Sequence, residues 1–365
     1  MAPERVIMKK ILLTGGGTAG HVTPNIALMD RLKAEGYEIY YMGSYDGIER
    51  ELIENLGIPY FAISSGKLRR YHSWKNFSDP FRVNKGCYQA RKIIKKLKPD
   101  VCFSKGGFVS VPVVYGARMN KVPVIIHESD MTPGLANKIS FFRAAKICCN
   151  FPETLKYLPK NKGVHTGTPI RKELFTGSKE EAMKFCGFTG EELINKPVLL
   201  VVGGSTGAVA VNEMLRKSLD VLLKKYNVIH LCGKGKADES FNDRKGYKQI
   251  EYCDKEMKDL FAAADIVLSR AGANSIFELL ALRKPNILIP LPAKSSRGDQ
   301  ILNAESFEKQ GFSKVLKEED ITPEILVDTI NEVFDEQDKY KEAMNKSKTS
   351  DAVGIIMALI KEVQK

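Results

Sequence analysis

The chain has 365 residues, 43% hydrophobic and 27% charged, with a net charge of +12. This globular composition is long enough for two ordinary domains and excludes a disordered chain. No apolar stretch approaches a membrane span and no secretory core precedes the first strand. The odd, scattered set of seven cysteines fits reduced thiols, so a cytoplasmic protein is expected. No Cys/His cluster has zinc spacing, and no metal is expected.

Taken in chain order, the apolar run Ile11-Leu12-Leu13-Thr14 empties into Gly15-Gly16-Gly17-Thr18-Ala19-Gly20-His21. A helix follows, with Thr23 as its cap, Pro24 at its first position and Gly36 as its stop. Strands are predicted over 38–42, 60–63, 101–103, 122–126 and 147–149, with helical patterns between most of them. Such alternation means βαβ crossovers and a parallel sheet. A turn-rich stretch at 167–171 marks a boundary. The plan then repeats, with strands over 198–202, 228–232, 250–252, 266–269 and 286–289, and helices over 209–223, 258–264, 275–282 and 301–310. The first of these strands empties into Gly203-Gly204-Ser205-Thr206-Gly207-Ala208. A final helical pattern over 353–363 is able to cap either domain. It is grouped with the first, giving domains of 1–166 plus 347–365, and 167–346.

A strand that ends in a glycine loop and opens a helix aims backbone N–H groups at an anion, usually a phosphate. Gly15, Gly17 and Gly20 satisfy Gly-x-Gly-x-x-Gly, yet the second strand ends Tyr40-Tyr41-Met42-Gly43, with no carboxylate for a ribose. That weakens a dehydrogenase reading, and neither loop ends in the Gly-Lys-Ser/Thr of a P-loop NTPase. Two tight turns without a ligand are the bland alternative. What survives is a pair of Rossmann-like domains, one for a nucleotide-activated donor and one for an acceptor. Polar residues at strand ends fit it: Ser104-Lys105-Gly106-Gly107-Phe108, His127-Glu128-Ser129-Asp130 and Arg270-Ala271-Gly272-Ala273-Asn274-Ser275.

Several segments, in this order, resemble the MurG glycosyltransferases of bacterial peptidoglycan synthesis: 16–24, 105–112, 127–138, 167–171, 203–208 and 269–278. Ala19, Phe108 and Asp130 depart from the residues common in that family. The resemblance implies an α/β GT-B fold, two Rossmann-like parallel-sheet domains facing a cleft. It also implies an inverting, metal-independent transfer of N-acetylglucosamine from UDP-N-acetylglucosamine to the lipid I muramyl 4-hydroxyl. UDP-N-acetylglucosamine is then a substrate, and no cofactor is implied. Carried over by motif, the donor would meet Thr18, Ala19, Gly20, Asp130, Arg171, Gly204, Ser205, Cys253, Ala273, Asn274, Ser275, Glu278, Asp299 and Gln300. Arg171 and Ser205 would hold the diphosphate, Glu278 the ribose, Gln300 with Asp299 the sugar, and backbone near Cys253 the uracil. The acceptor pyrophosphate would meet Gly16, Gly17, Gly106 and Gly107.

The acceptor hydroxyl needs a general base. His21, just after the first loop, is the first candidate, against a capping or phosphate-binding role. Asp130 and Glu128 are its rivals. His127 reads as a hydrogen-bonded structural residue, and His230 carries no partner pattern. Bases and aromatics interleave at Leu68, Arg69, Arg70, Trp74, Phe77 and Phe81, which suits peripheral docking on anionic inner-leaflet lipids beside lipid I. The bland alternative is a basic loop whose aromatics pack inward, and no recognition motif supports nucleic acid. The location so implied is the cytoplasmic face of the bacterial plasma membrane, with other cell-wall synthesis proteins as candidate partners. Competing functions are another GT-B glycolipid glycosyltransferase, a UDP-N-acetylglucosamine 2-epimerase and, from a different class, a non-catalytic nucleotide-sugar or nucleic-acid-binding module.

Overall fold

Ile11, Leu12, Leu13 and Thr14 expose no surface, so the first apolar run is covered on both faces. Such a run belongs in the interior of a parallel sheet. The computed structural model describes residues 8–66, 75–204, 207–294, 298–347 and 351–364, with backbone alone for 75–78. It divides into two compact units, Met1–Arg171 with Ser350–Lys365, and Lys172–Thr349.

In the first unit the strands are β1 (Lys9–Thr14), β2 (Tyr37–Ser44), β3 (Tyr60–Ile63), β4 (Val101–Ser104), β5 (Val124–Glu128), β6 (Lys146–Cys149) and β7 (Gly163–His165). They lie in the order β3-β2-β1-β4-β5-β6-β7, and every neighbouring pair is parallel. Between them run α1 (Thr23–Ala34), α2 (Ile48–Glu54), α3 (Lys75–Leu97), α4 (Ser110–Met119) and α5 (Leu135–Ser140).

The second unit opens with α6 (Lys179–Cys186) and α7 (Glu191–Ile194). Its strands are β8 (Val198–Val202), β9 (Asn227–Leu231), β10 (Tyr247–Ile250), β11 (Ile266–Ser269), β12 (Asn286–Leu288) and β13 (Lys314–Val315). They form a parallel sheet in the order β10-β9-β8-β11-β12-β13. Its further helices are α8 (Val209–Lys225), α9 (Met257–Ala263), α10 (Ala273–Ala281), α11 (Asp299–Lys309), α12 (Pro323–Asp335) and α13 (Gln337–Lys346). The chain ends on α14 (Ala352–Val363), whose Ile356, Met357 and Ile360 join Leu28 and Leu32 in the core of the first unit.

Two expectations change. Thr23 is not the cap of α1: a single turn of 3-10 helix over Ala19–His21 runs into it, Val22 takes the cap position, and the Thr23 hydroxyl donates back to Ala19 O at 3.0 Å. β7 and β13, of three and two residues, are too short for alternation to reveal and went unread, as did α12 and α13. None of the described helices is long and apolar enough to cross a membrane. Leu68, Arg69, Arg70 and Trp74 lie outside the described residues, as does the side chain of Phe77, while Phe81 on α3 is 78% exposed.

Candidate active site

Each sheet has one point where successive connections part to opposite sides, between β1 and β4 and between β8 and β11. Ligands of open α/β sheets bind outside the strand C-termini at such a point. At the first, two glycine loops touch backbone to backbone. Gly107 has φ 84°, and a Cβ there would lie 2.2 Å from the Gly16 carbonyl oxygen. The Tyr41 hydroxyl donates to Gly15 O at 2.7 Å, and Asn25 Nδ2 donates to that hydroxyl and to Thr14 O, each at 3.2 Å.

Glu49 lies fully buried under the same loop. Its Oε2 accepts from Gly17 N–H at 3.1 Å, and its Oε1 accepts from the Ser44 N–H and hydroxyl at 3.0 and 2.5 Å. A Cβ on Gly16 would lie 2.4 Å from that carboxylate. So β2 ends without an acid, but the first turn of α2 returns one beneath the loop. The Gly17 N–H expected for a pyrophosphate is therefore already engaged. No pattern in 44–49 signals this fold-back, and Glu49 went unread.

His21 closes the loop. Its Nδ1 lies 3.0 Å from Gly16 O and 3.3 Å from the Thr18 hydroxyl. A carbonyl oxygen only accepts, so Nδ1 carries the proton, and in the neutral ring Nε2 carries the lone pair. Thr18 precedes this turn, while Ala19 and Gly20 belong to it.

Glu128 ends β5 with 4% exposure and holds the next loop from inside. Its Oε1 accepts from the N–H groups of Ser129 and Asp130 at 2.9 and 3.1 Å. Its Oε2 accepts from Gly134 N–H at 3.0 Å and Asn137 Nδ2 at 2.8 Å. Burial, then the Asp130 charge, pushes its pKa above the usual carboxylate range, against the pull of these donors. With four donors on its two oxygens, Glu128 holds this loop in place. Asp130 is half-buried on the same loop. Fully buried His127 lies 2.9 Å from Gly167 O through Nε2 and meets Lys105 through Nδ1, and burial with the Lys105 charge holds it well below the usual histidine range.

At the second switch point, Gly203 and Gly204 follow β8, and Ser205 lies outside the described residues. Gly207 has φ 68°, with Cys232 O 2.1 Å from its missing Cβ, and Lys236 Nζ donates to its carbonyl at 3.3 Å. Among the helices that begin at this edge are α8, α10 and α11. Their cap positions are Ala208 for α8, Gly272 for α10 and Gly298 for α11, none with a side chain able to accept from the first-turn N–H groups. Side-chain caps do occur on Ser178 of α6, Thr322 of α12 and Asp351 of α14, which accept at 3.3, 3.2 and 2.9 Å, whereas α1, α2, α4, α5 and α9 also lack one. Uncapped N–H groups beside a sheet switch suit an anion.

Ala273, Asn274 and Ser275 form the first turn of α10, and Glu278 lies half-buried one turn on. Asp299 and Gln300 open α11, where the Gln300 amide oxygen accepts from Leu291 N–H at 3.1 Å, leaving its NH2 as the donor end. Cys253 follows β10, two strands from β8, and burial with Glu256 and Asp254 pushes its thiol up to about 12. Arg171 ends the first segment of the first unit. The glycine loops of each unit thus lie at that unit's own switch point, while Cys253 and Arg171 lie away from it.

The glycosyltransferase family 28 N-terminal domain matches residues 11–149, and the C-terminal domain of that family matches residues 198–359. The UDP-N-acetylglucosamine–N-acetylmuramyl-(pentapeptide) pyrophosphoryl-undecaprenol N-acetylglucosamine transferase of Lachnoclostridium phytofermentans is 66% identical, over 98% of this chain and 99% of its own. A protein of the same name from Clostridium botulinum (strain Langeland) is 58% identical, over 98% of this chain and 100% of its own. MurG of Acinetobacter baumannii shares the fold with a TM-score of 0.74 at 23% identity, over 97% of this chain and 99% of that one. The UDP-GlcNAc 2-epimerase of Neisseria meningitidis shares it with a TM-score of 0.66 at 13% identity, over 97% and 100%. At such identities these two structures speak for the fold alone.

His230, on β9, gives this unit a pH signature. Its Nε2 faces Asn212 Oδ1 at 2.9 Å and its Nδ1 faces the Tyr247 hydroxyl at 2.8 Å. Burial, then the Arg216 charge, lowers it to about 3. Protonation is thus easier in the unfolded chain, near 6.5. The stability its neutral form contributes is complete above that pH and is lost towards about 3, at roughly 1.4 kcal/mol per unit. Acid unfolding of wild type and His230→Gln checks this, the variant showing the shallower dependence below pH 6.5.

Proposed function

The chain belongs to glycosyltransferase family 28, and from that membership we propose that it transfers N-acetylglucosamine from UDP-N-acetylglucosamine to lipid I, forming lipid II for peptidoglycan. The observation that carries this is identity of 66% to a transferase of that name across nearly the whole of both chains. A 2-epimerase is favoured only by fold, at 13% identity.

Inverting transfer is one displacement. The muramyl 4-hydroxyl oxygen forms a bond to the anomeric carbon as the bond from that carbon to the UDP oxygen breaks. The hydroxyl proton passes to His21 Nε2, which bears the ring's lone pair when Nδ1 donates to Gly16 O. UDP departs with growing negative charge, met by the uncapped N-termini of α8 and α10 and by Arg171. Glu278 accepts from the ribose hydroxyls, Gln300 with Asp299 binds the sugar, and backbone near Cys253 meets the uracil. Gly16, Gly106 and Gly107 face the acceptor pyrophosphate, with Thr18, Ala19, Gly20 and Asp130 towards the donor. No step calls on a metal.

The chain docks as a peripheral protein on anionic lipids at the cytoplasmic face of the plasma membrane, beside other cell-wall synthesis proteins. Exposed Phe81 on α3 supports that reading.

Transfer to a lipid I analogue tests the activity, and three variants test the assignments. His21→Ala is expected to lower turnover roughly 10²–10⁴-fold while UDP affinity, by calorimetry, holds; equal loss of both overturns its role as base. Gly272→Asp gives α10 a capping carboxylate where Gly272 now leaves open space. It should keep or slightly raise the melting temperature yet raise the KM for UDP-N-acetylglucosamine about tenfold or more, as ~1.4 kcal/mol of repulsion dictates. Trp74→Ser with Arg69 and Arg70 neutralised should abolish flotation with anionic vesicles, and retained binding rejects this surface.

A further inference from the structure

Lys105 has no part in the chemistry above, yet it is among the largest fully buried side chains, 1% exposed. An isolated buried ammonium is costly, so its surroundings must compensate it. The Gly167 carbonyl only accepts, so His127 Nε2 donates to it at 2.9 Å and His127 Nδ1 is left as an acceptor. Lys105 Nζ donates to that Nδ1 and to the Ser129 hydroxyl. The charges acting on it come from Glu128 at the end of β5 and Asp130 on the following loop, while the buried Cys148 thiol on β6 is pushed up to about 12 and stays neutral. Burial draws the ammonium far below the usual lysine range, and the two carboxylates push it back up. On the β1 side its N–H donates to Thr14 O at 2.8 Å, and a Cβ on Gly15 would lie 3.1 Å from its own Cβ.

We propose that Lys105 is a positioning residue that offsets the joint negative charge of Glu128 and Asp130 behind the Gly106–Gly107 loop, so that this edge of the first sheet admits a pyrophosphate-bearing acceptor. The proposal rests on the acceptor reading above. Without Lys105, two carboxylates share one loop cluster with the docking place of two further negative charges. Repulsion in a buried setting is screened far less than in water. Asp130 is the member whose charge a near-isosteric amide removes, since Glu128 is committed to four N–H donors.

The test is a double-mutant cycle on the full chain with UDP-N-acetylglucosamine and a lipid I analogue, comparing wild type, Lys105→Met, Asp130→Asn and the double variant. Lys105→Met is expected to raise the acceptor KM about tenfold or more and the donor KM by about twofold at most, and adding Asp130→Asn recovers most of the loss. Additive losses, or equal loss for donor and acceptor, overturn the proposal. Should Lys105→Met fail to fold, a folded double variant supports charge balance and an equally unfolded one rejects it. Unfolding midpoints of the four proteins provide the same cycle without substrate. A wild type that transfers nothing to lipid I defeats the functional reading, whereas an active wild type with additive losses defeats this inference alone.

Discussion

The Gly107 backbone approaches the Gly16 carbonyl so closely that no side-chain atom fits between them, and the chemistry of the first unit is built on that contact. It forces β1 and β4 to end at the same level and turns both following loops towards one region. Closeness alone would leave the loops unsupported. Tyr41 and Asn25 hold Gly15 and Thr14 from one side, and Glu49 holds Gly17 from below. The loop is therefore set before any ligand arrives, and binding has little ordering to bear.

The second unit repeats the approach, Gly207 against Cys232 O, but with different charge. A buried carboxyl, Glu49, accepts from Gly17 under the first loop, whereas a lysine, Lys236, donates to the Gly207 carbonyl of the second. One strand–loop–helix scheme thus yields two unlike environments. The second, with three helix N-termini lacking side-chain caps, suits a leaving diphosphate. The first has the Gly17 N–H already engaged and a histidine at its rim, beside the Gly106–Gly107 turn.

What could be read from the sequence follows from the range of the forces involved. β8 and β11 were read at their observed bounds because buried parallel strands are continuous apolar runs. The glycine loops were legible because their spacing is local. Glu49, Asn25 and Tyr41 were not: their roles depend on α1, α2 and β2 meeting one loop, which no local pattern encodes. Lys105 stood in plain view inside a motif, but a lysine reads as exposed until the fold shows His127, Ser129 and two carboxylates around it. Thr23 misled for a related reason, since a capping residue is recognised by type, whereas the 3-10 turn before it decides which residue caps.

The choice among three candidate bases turns on hydrogen-bond supply rather than on acidity. A carboxylate accepting four N–H groups has its lone pairs committed, and drawing a proton to it would release the loop it holds. Glu128 is in that position. Asp130 shares the electrostatic cluster with Lys105, so its charge serves a balance that protonation would upset. His21 differs from both. The bond to Gly16 O fixes the proton on Nδ1, and Gly16 is itself fixed by Gly107 above and Glu49 below. The same contact that leaves no room for a side chain therefore sets the tautomer of the histidine, and with it the nitrogen assigned to the proton in the proposed transfer.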